Sequence, residues 1–470
     1  MQAMSRRQFL RGMAGVAAGA VLVACAPAGA PGAAPAAGGS QAAPAKAKIS
    51  LRWDVSDATD VPAMMDMGKK GADLFAQKFP NIEIIPEPPP EDQATMILTQ
   101  MVAGNAPDII GMCCATLPFW AQKGQLVDMT PLVDKDMTKE QIADYAKPHW
   151  DAFANPHVGR FAMPMYMGTI VMFYNKDVFD AKGVAYPDNT WDWTVDGNGK
   201  YEDALRKLSD PANKVWGGLI GDGPDRLQQK IAGNGGHWVD PSDDTKAAFD
   251  QPAALDALQW NWDRLWKDNT LIQFAAREKQ GGEGLMVNGR IAMYESGDWQ
   301  LSPMVKTATG KYKWDVAEIP KGPVQQNTLI TTDGWAIWKG SQGVEEAWEF
   351  TKWLQSDEWN DLMISIGLLR PSRISLFPKW KETVIKAVPE LADKNLDAFN
   401  AAAQYGTTLE LFQFNAESDE IVIAARDKTI RTGDPDVKGI FTQAAKDVND
   451  AEQKAKTSAR SIFRGCECKA

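Results

Sequence analysis

The sequence predicts an α/β protein with more than one domain. Three observations carry that prediction. Short apolar segments of period two alternate with helical ones in the first part of the chain; Pro, Gly and Asn separate them; and 470 residues exceed what one ordinary core holds.

Ile49, Leu51 and Trp53 alternate with other residues across 48–55, the pattern of a strand, and 54–60 is turn chemistry. Residues 64–79 have helical spacing, with Leu74, Phe75 and Phe79 to one side, and Pro80-Asn81 stops them. A second strand fits 82–85, a second helix 92–103, and a third strand 107–112 running on to Cys113 and Cys114. This succession is that of a parallel sheet covered on its faces. Ligands of such sheets gather beyond the C-terminal strand ends, so the loops near Trp53 and after Cys114 are the first places to look.

Residues 161–174 form another extended apolar segment. Asp250-Gln251-Pro252 reads as a helix start capped by Asp250, and the helix that follows carries Leu255, Leu258, Trp262 and Leu265 on one face, making Trp262 a core residue. Residues 344–363 read as one long helix with Ala347, Phe350 and Leu354 buried, and Trp348 and Trp353 packing beside them. No internal repeat of fixed period is visible.

The N-terminus reads as an export signal. Arg6, Arg7 and Arg11 precede an uncharged run at 12–24, shorter than the roughly 20 residues a bilayer-spanning helix needs. Arg6-Arg7 followed by Phe9-Leu10 resembles a twin-arginine signal, and Leu22-Val23-Ala24-Cys25 resembles a lipobox, in which the cysteine is acylated and becomes the new N-terminus. The expectation is a signal peptide at 1–24, a lipidated Cys25 with a flexible Ala/Pro/Gly tether at 25–47, and a protein held by lipid on the outer face of the cytoplasmic membrane.

Cleavage leaves 470 less 24, or 446 residues, and removing three arginines takes the net charge from −11 to −14. That charge argues against nucleic acid and against electrostatic docking on anionic lipid. The five cysteines have neither zinc-site spacing nor the density of a disulfide framework, so no metal or cofactor is expected. Cys113 and Cys114 read as small buried hydrophobes; a Cys466–Cys468 bridge would close too small a loop to constrain much. The eighteen tryptophans are either core residues or flat faces for stacking on a sugar's C–H surface.

Several segments together resemble the sugar-binding family of extracellular solute-binding proteins of ABC importers. Asn105-Ala106-Pro107-Asp108-Ile109-Ile110 is similar to one family segment. Phe173-Tyr174-Asn175-Lys176-Asp177-Val178-Phe179 with Pro187 and Thr190-Trp191-Asp192-Trp193 is similar to a second. Asn288-Gly289-Arg290-Ile291-Ala292-Met293 with Gly297-Asp298-Trp299, then Ile319-Pro320-Lys321-Gly322-Pro323, Asp333-Gly334-Trp335-Ala336-Ile337, Ala347-Trp348-Glu349-Phe350 and Leu368-Leu369-Arg370-Pro371-Ser372-Arg373 follow in the family's order. The resemblance covers about residues 48–450.

It implies a two-lobed periplasmic-binding-protein fold (type II), each lobe a sheet flanked by helices, joined by crossings near 166–171, 328–334 and 369–374. The first lobe would comprise 48–167 with 335–370, the second 171–328 with 374–450, and 451–470 a C-terminal tail. The implied function is capture of a sugar or oligosaccharide by hinge closure of a monomer, without catalysis, and delivery to a membrane permease coupled to a cytoplasmic ATPase.

By the same resemblance the ligand contacts would be Trp299, the family's stacking tryptophan, with Trp335, Trp238, Tyr166, Thr116, Trp53, Asp57, Asp333 and Arg370. Trp335 reads equally as hinge packing, Trp53 equally as a strand residue, and His237 as an ordinary histidine. The family's charged pair is missing at Ala115-Thr116, and Gly168 replaces a glutamate, which counts against maltose itself. Two alternatives stay open: the same fold binding a polyamine, peptide or polyol phosphate, and a lipid-anchored glycoside hydrolase. Only His149, His157 and His237 are present, with no HExxH, GxSxG or phosphate-loop motif, which leaves the hydrolase resting on an unassigned carboxylate pair.

Overall fold

The computed structural model describes residues 48–467 apart from Thr332 and Asn415; the export signal with Arg6 and Arg7, the lipobox Cys25, the tether and the last three residues, Cys468 among them, lie outside the described residues. The strands used below are, in chain order, β1 (Ile49–Asp54), β2 (Ile82–Glu87), β3 (Ile109–Cys113), β4 (Met163–Pro164), β5 (Gly168–Thr169), β6 (Val171–Asn175), β7 (Trp216–Leu219), β8 (Ile291–Ser296), β9 (Trp314–Ala317), β10 (Thr328–Thr331), β11 (Asp333–Ile337) and β12 (Gly406–Thr407).

The expected strand–helix alternation is present at the start. β1, β2 and β3 run parallel, with helix α1 (Val61–Lys78) between the first two and α2 (Gln93–Ala103) before the third. The sheet is not wholly parallel: its order is β2-β1-β3-β11-β4, and β11 and β4 are antiparallel additions from distant chain. α1 begins three residues before the sequence pattern suggests, because Asp60 caps it by accepting the Ala63 N–H at 2.9 Å, a bond typically worth about 1 kcal/mol.

Alternation sorts the side chains of this sheet. Trp53, Ile109 and Trp335 bury against Met67 and Phe75 of α1 and against Phe350 and Trp359, whereas Ile110, Met112 and Ala336 bury on the other face against Trp120, Phe153 and Phe161.

A second sheet, ordered β9-β6-β8-β7, has its own two cores. Met172 and Tyr174 of β6 face one that includes Tyr201, Trp260 and Phe441; Val171 and Phe173 face the other, with Trp314, Trp380 and Phe399. Between the sheets lies a short third one, β12-β10-β5.

The extended run 161–174 is therefore not one strand. It contributes β4 to the first sheet, β5 to the third and β6 to the second, and 328–337 likewise divides between β10 and β11. Two further readings are corrected. Gln251, not Asp250, occupies the cap position before Pro252, and Asp250 instead accepts from the Gln251 side chain. The helix expected over 344–363 breaks: α3 (Val344–Trp353) stops, and Ser356 caps a new helix, Asp357–Leu362, by accepting from the Trp359 N–H. Among the described residues no helix is long and apolar enough to cross a membrane.

A candidate solute site where the two sheets meet

Trp299 sits in a single turn, Asp298–Gln300, between the end of β8 and helix Leu301–Ala308. β8 is anchored just before it by a buried cluster: Glu295 accepts from Lys230 at 2.9 Å, from Gln229 at 3.1 Å and from the Tyr201 hydroxyl at 3.2 Å. The indole folds back over Gly297, where a Cβ would lie 2.0 Å from its ring, and packs on β5, where a Cβ on Gly168 would lie 2.8 Å away. Only glycine leaves room at either place. Trp299 is half-buried, in contrast to the fully enclosed tryptophans of the cores.

Around the indole, the Tyr166 ring stands edge-on with centroids 6.4 Å apart, and the Arg226 guanidinium lies 5.9 Å from the ring centre. From the first sheet, the Thr59 hydroxyl donates to the Trp299 carbonyl at 3.3 Å. Thr59 belongs to the turn after β1, which also carries exposed Asp57 and holds buried Ser56 at φ 71°, a left-handed conformation uncommon for serine. The Ser56 hydroxyl donates to Asp333 at 2.9 Å at the start of β11.

Two carboxyl groups are buried at this junction. Burial, reinforced by the charge of Asp57 and by Asp298, pushes the Asp333 carboxyl up to about 7 in spite of the Ser56 bond. Burial likewise pushes Asp298 up to about 7, with Arg370 pulling the other way. Burial also pushes the Tyr166 phenol well above its ordinary value, so it is neutral.

The expected contacts divide accordingly. Trp299, Tyr166, Asp333 and Asp57 meet at this junction. Half-buried Thr116 follows β3, with its hydroxyl 3.8 Å from the Cys113 sulfur, and exposed Cys113 is not the buried hydrophobe expected. Four residues are enclosed by protein, and their expected roles need correction. Trp53 and Trp335 are 0 % exposed. They pack edge-on at 5.3 Å with Trp359 beside both, so their faces are taken up by core. Trp238 is buried in the second sheet's core against Phe249, 4.8 Å between centroids.

Arg370 is wholly enclosed, and its donors are spent on the protein. It bonds to the Phe399 carbonyl at 2.6 Å, the Thr169 hydroxyl at 3.0 Å and the Met167 carbonyl at 3.2 Å. It rivets Met167 and Thr169 to Phe399. His237 is exposed and pairs with Glu410.

Sequence reasoning missed Thr59 and Arg226. The one available cue for Arg226 was Gly223-Pro224, a helix start directly beyond β7, the position that strand topology marks for ligands. Among the described residues no group of three or more His, Cys, Asp or Glu is placed to hold a metal ion.

Residues 56–361 match the bacterial extracellular solute-binding protein family. A probable ABC transporter-binding protein of Deinococcus radiodurans is 26 % identical over 373 residues, 75 % of this chain and 83 % of that protein. Among solved structures, the ABC substrate-binding protein Lmo0181 of Listeria monocytogenes, in complex with cycloalternan, superposes with a TM-score of 0.74 at 25 % identity, covering 87 % of this chain and 99 % of the other. A solute-binding protein of Thermotoga lettingae bound with α-D-tagatose gives a TM-score of 0.70 at 19 % identity over 86 % and 99 % of the two chains, a likeness of fold. The fold is thus the two-lobed periplasmic-binding-protein arrangement, one lobe around each large sheet. The chain belongs to the bacterial extracellular solute-binding protein family, whose members are non-enzymatic binding proteins that work with ABC transporter permeases.

Proposed function

We propose that this protein captures a carbohydrate between its lobes, closes over it by rotation about the crossing segments, and presents it to the permease of an ABC importer. The lobes would be 48–167 with 335–370 and 171–328 with 374–450, acting as a monomer tethered by lipid on Cys25 after export on the Arg6-Arg7 signal.

One observation carries the reading: Trp299 is half-buried at the meeting of the sheets, seated by two glycines and ringed by Tyr166, Arg226 and Thr59, with exposed Asp57 in the same turn as Thr59. An apolar ring face beside directional donors and acceptors matches the amphipathic surface of a sugar. Closure removes water, so each hydroxyl-binding group left without a partner costs about 1–3 kcal/mol, and that penalty selects the solute. Cycloalternan and tagatose in related structures agree in chemical class.

Titration of a broad sugar panel against tryptophan fluorescence and calorimetry tests this. The expected result is a saturable response to at least one sugar; none to any of them overturns it. A second reading has an observation of its own: Asp57, Asp298 and Asp333 gather near the aromatic pair, an arrangement that suits an amine-bearing solute such as a polyamine. Mass spectrometry of solute retained through gentle purification separates the two.

A further inference from the structure

Asp60 joins the lobes beside the turn that holds Trp299, by a contact that involves no solute. It belongs to the first lobe, where it caps α1 with one carboxylate oxygen. Its other oxygen reaches the second lobe, accepting from the Ser302 hydroxyl at 2.9 Å and from the Lys306 ammonium at 2.7 Å. Ser302 and Lys306 are one turn apart on helix α4 (Leu301–Ala308), so a single carboxylate takes both.

α4 is firmly part of the second lobe, since Leu301, Met304 and Ala308 bury in the core that covers one face of its sheet. It also continues directly from the turn that holds Trp299. Solute platform and catch are therefore one rigid piece, and whatever orders Trp299 orders Ser302 and Lys306. Beside Asp60, Thr59 bonds the Trp299 carbonyl, so two consecutive residues of the first lobe grip this piece.

We propose that Asp60, with Ser302 and Lys306, is a closure latch: a set of positioning residues that fixes how long the solute is held. The latch rests on the reading of a closing cleft given above. Its groups differ in exposure, with 20 % of the Asp60 side chain and 57 % of that of Lys306 open to solvent, so water screens the pair and lets it open. Burial alone would raise the Asp60 carboxyl, but the bonds from Lys306, the Ala63 N–H and Ser302 outweigh it and hold the group below its ordinary value. The Asp60 carboxylate thus stays charged at neutral pH, and ionic strength is the condition that loosens the latch.

The test uses the mature protein and the variants Lys306→Ala, Lys306→Arg, Ser302→Ala and Asp60→Asn, the last keeping an oxygen for the helix cap. Lys70→Ala, which removes an exposed pair on α1, serves as control. Small-angle scattering of solute-free protein should give a larger radius of gyration for Lys306→Ala and Asp60→Asn than for the parent, with Lys306→Arg and the control unchanged. With cycloalternan as the probe, stopped-flow tryptophan fluorescence should show dissociation roughly three- to tenfold faster in those two variants. Association should change less than twofold, and the double variant should be no worse than the poorer single one.

Unchanged radii, additive rates, or an equal effect of Lys70→Ala would overturn the latch. Failure of the parent to bind cycloalternan counts against that sugar and leaves the scattering comparison to decide the latch.

Discussion

Asp298 accepts the backbone N–H of Arg370 at 3.2 Å, with both side chains enclosed by protein. One residue opens the turn that holds Trp299; the other rivets Met167 and Thr169 to Phe399. Removing the guanidinium takes the countercharge from the buried Asp298 carboxyl and a donor from the Met167 carbonyl, while the Phe399 carbonyl keeps only the Thr169 hydroxyl at 3.1 Å. Arg370→Met should therefore cost about 3–5 kcal/mol of stability, read as a fall in denaturant midpoint at unchanged slope. Retention of the parental midpoint would refute the rivet.

The buried carboxyl of Asp333 gives a pH dependence of definite sign. Its folded value is pushed up to about 7, by burial first and then by the Asp57 charge, against about 3.9 for an unfolded aspartate. Between these values the folded protein binds more protons than the unfolded one. This group's contribution to stability is therefore intact at pH 4 and falls as pH rises towards 7. Asp333→Asn removes the effect, so its melting temperature should exceed the parent's by roughly 2 °C or more at pH 8 and match it at pH 4. The reverse ordering would contradict the burial of that group.

Seating of the platform depends on a missing methyl. In Gly297→Ala the new Cβ would fall 2.0 Å from the Trp299 ring, which must then leave its place. Solute affinity should drop roughly 10- to 100-fold, as for Trp299→Ala, while the melting temperature changes little. Calorimetry beside a thermal melt distinguishes this from general unfolding.

Trp53 and Trp335 should behave in the opposite way. Each is fully enclosed, so Trp53→Ala or Trp335→Ala should cost about 3–5 kcal/mol. The solute affinity of the fraction that remains folded should hold. A selective loss of binding at full stability would return these residues to the cleft.

Export and anchoring can be tested in cells. Cys25→Ser should move the protein from the membrane to the soluble extracytoplasmic fraction, and Arg6→Lys with Arg7→Lys should leave precursor in the cytoplasm. Fractionation and intact mass read both outcomes.

Much of the first lobe's start was legible in the sequence, because its signals are local. Alternation at Ile49, Leu51 and Trp53, the stop at Pro80-Asn81 and the apolar run before Cys113 act between near neighbours. The helix break after Trp353 was missed because Ser356 resembles an interior residue until its hydroxyl is seen to cap the Trp359 N–H. Residues 161–174 misled for another reason: uniform apolarity shows that a segment is buried and not which sheet buries it.

What the sequence by itself determined was the class of fold, the opening strand–helix alternation and the family likeness that makes Trp299 a candidate contact, since these depend on short-range pattern and characteristic segments. Only the tertiary structure decided which aromatic faces remain open. Trp53 is closed off by Phe350 and Trp359, and Arg370 is consumed by Met167 and Phe399, all distant in the chain. Trp299 stays half-open because its seat is made by two glycines remote in the chain, Gly297 just after β8 and Gly168 on β5. Exposure belongs to the surroundings of a residue, and those surroundings exist only once remote segments have packed together.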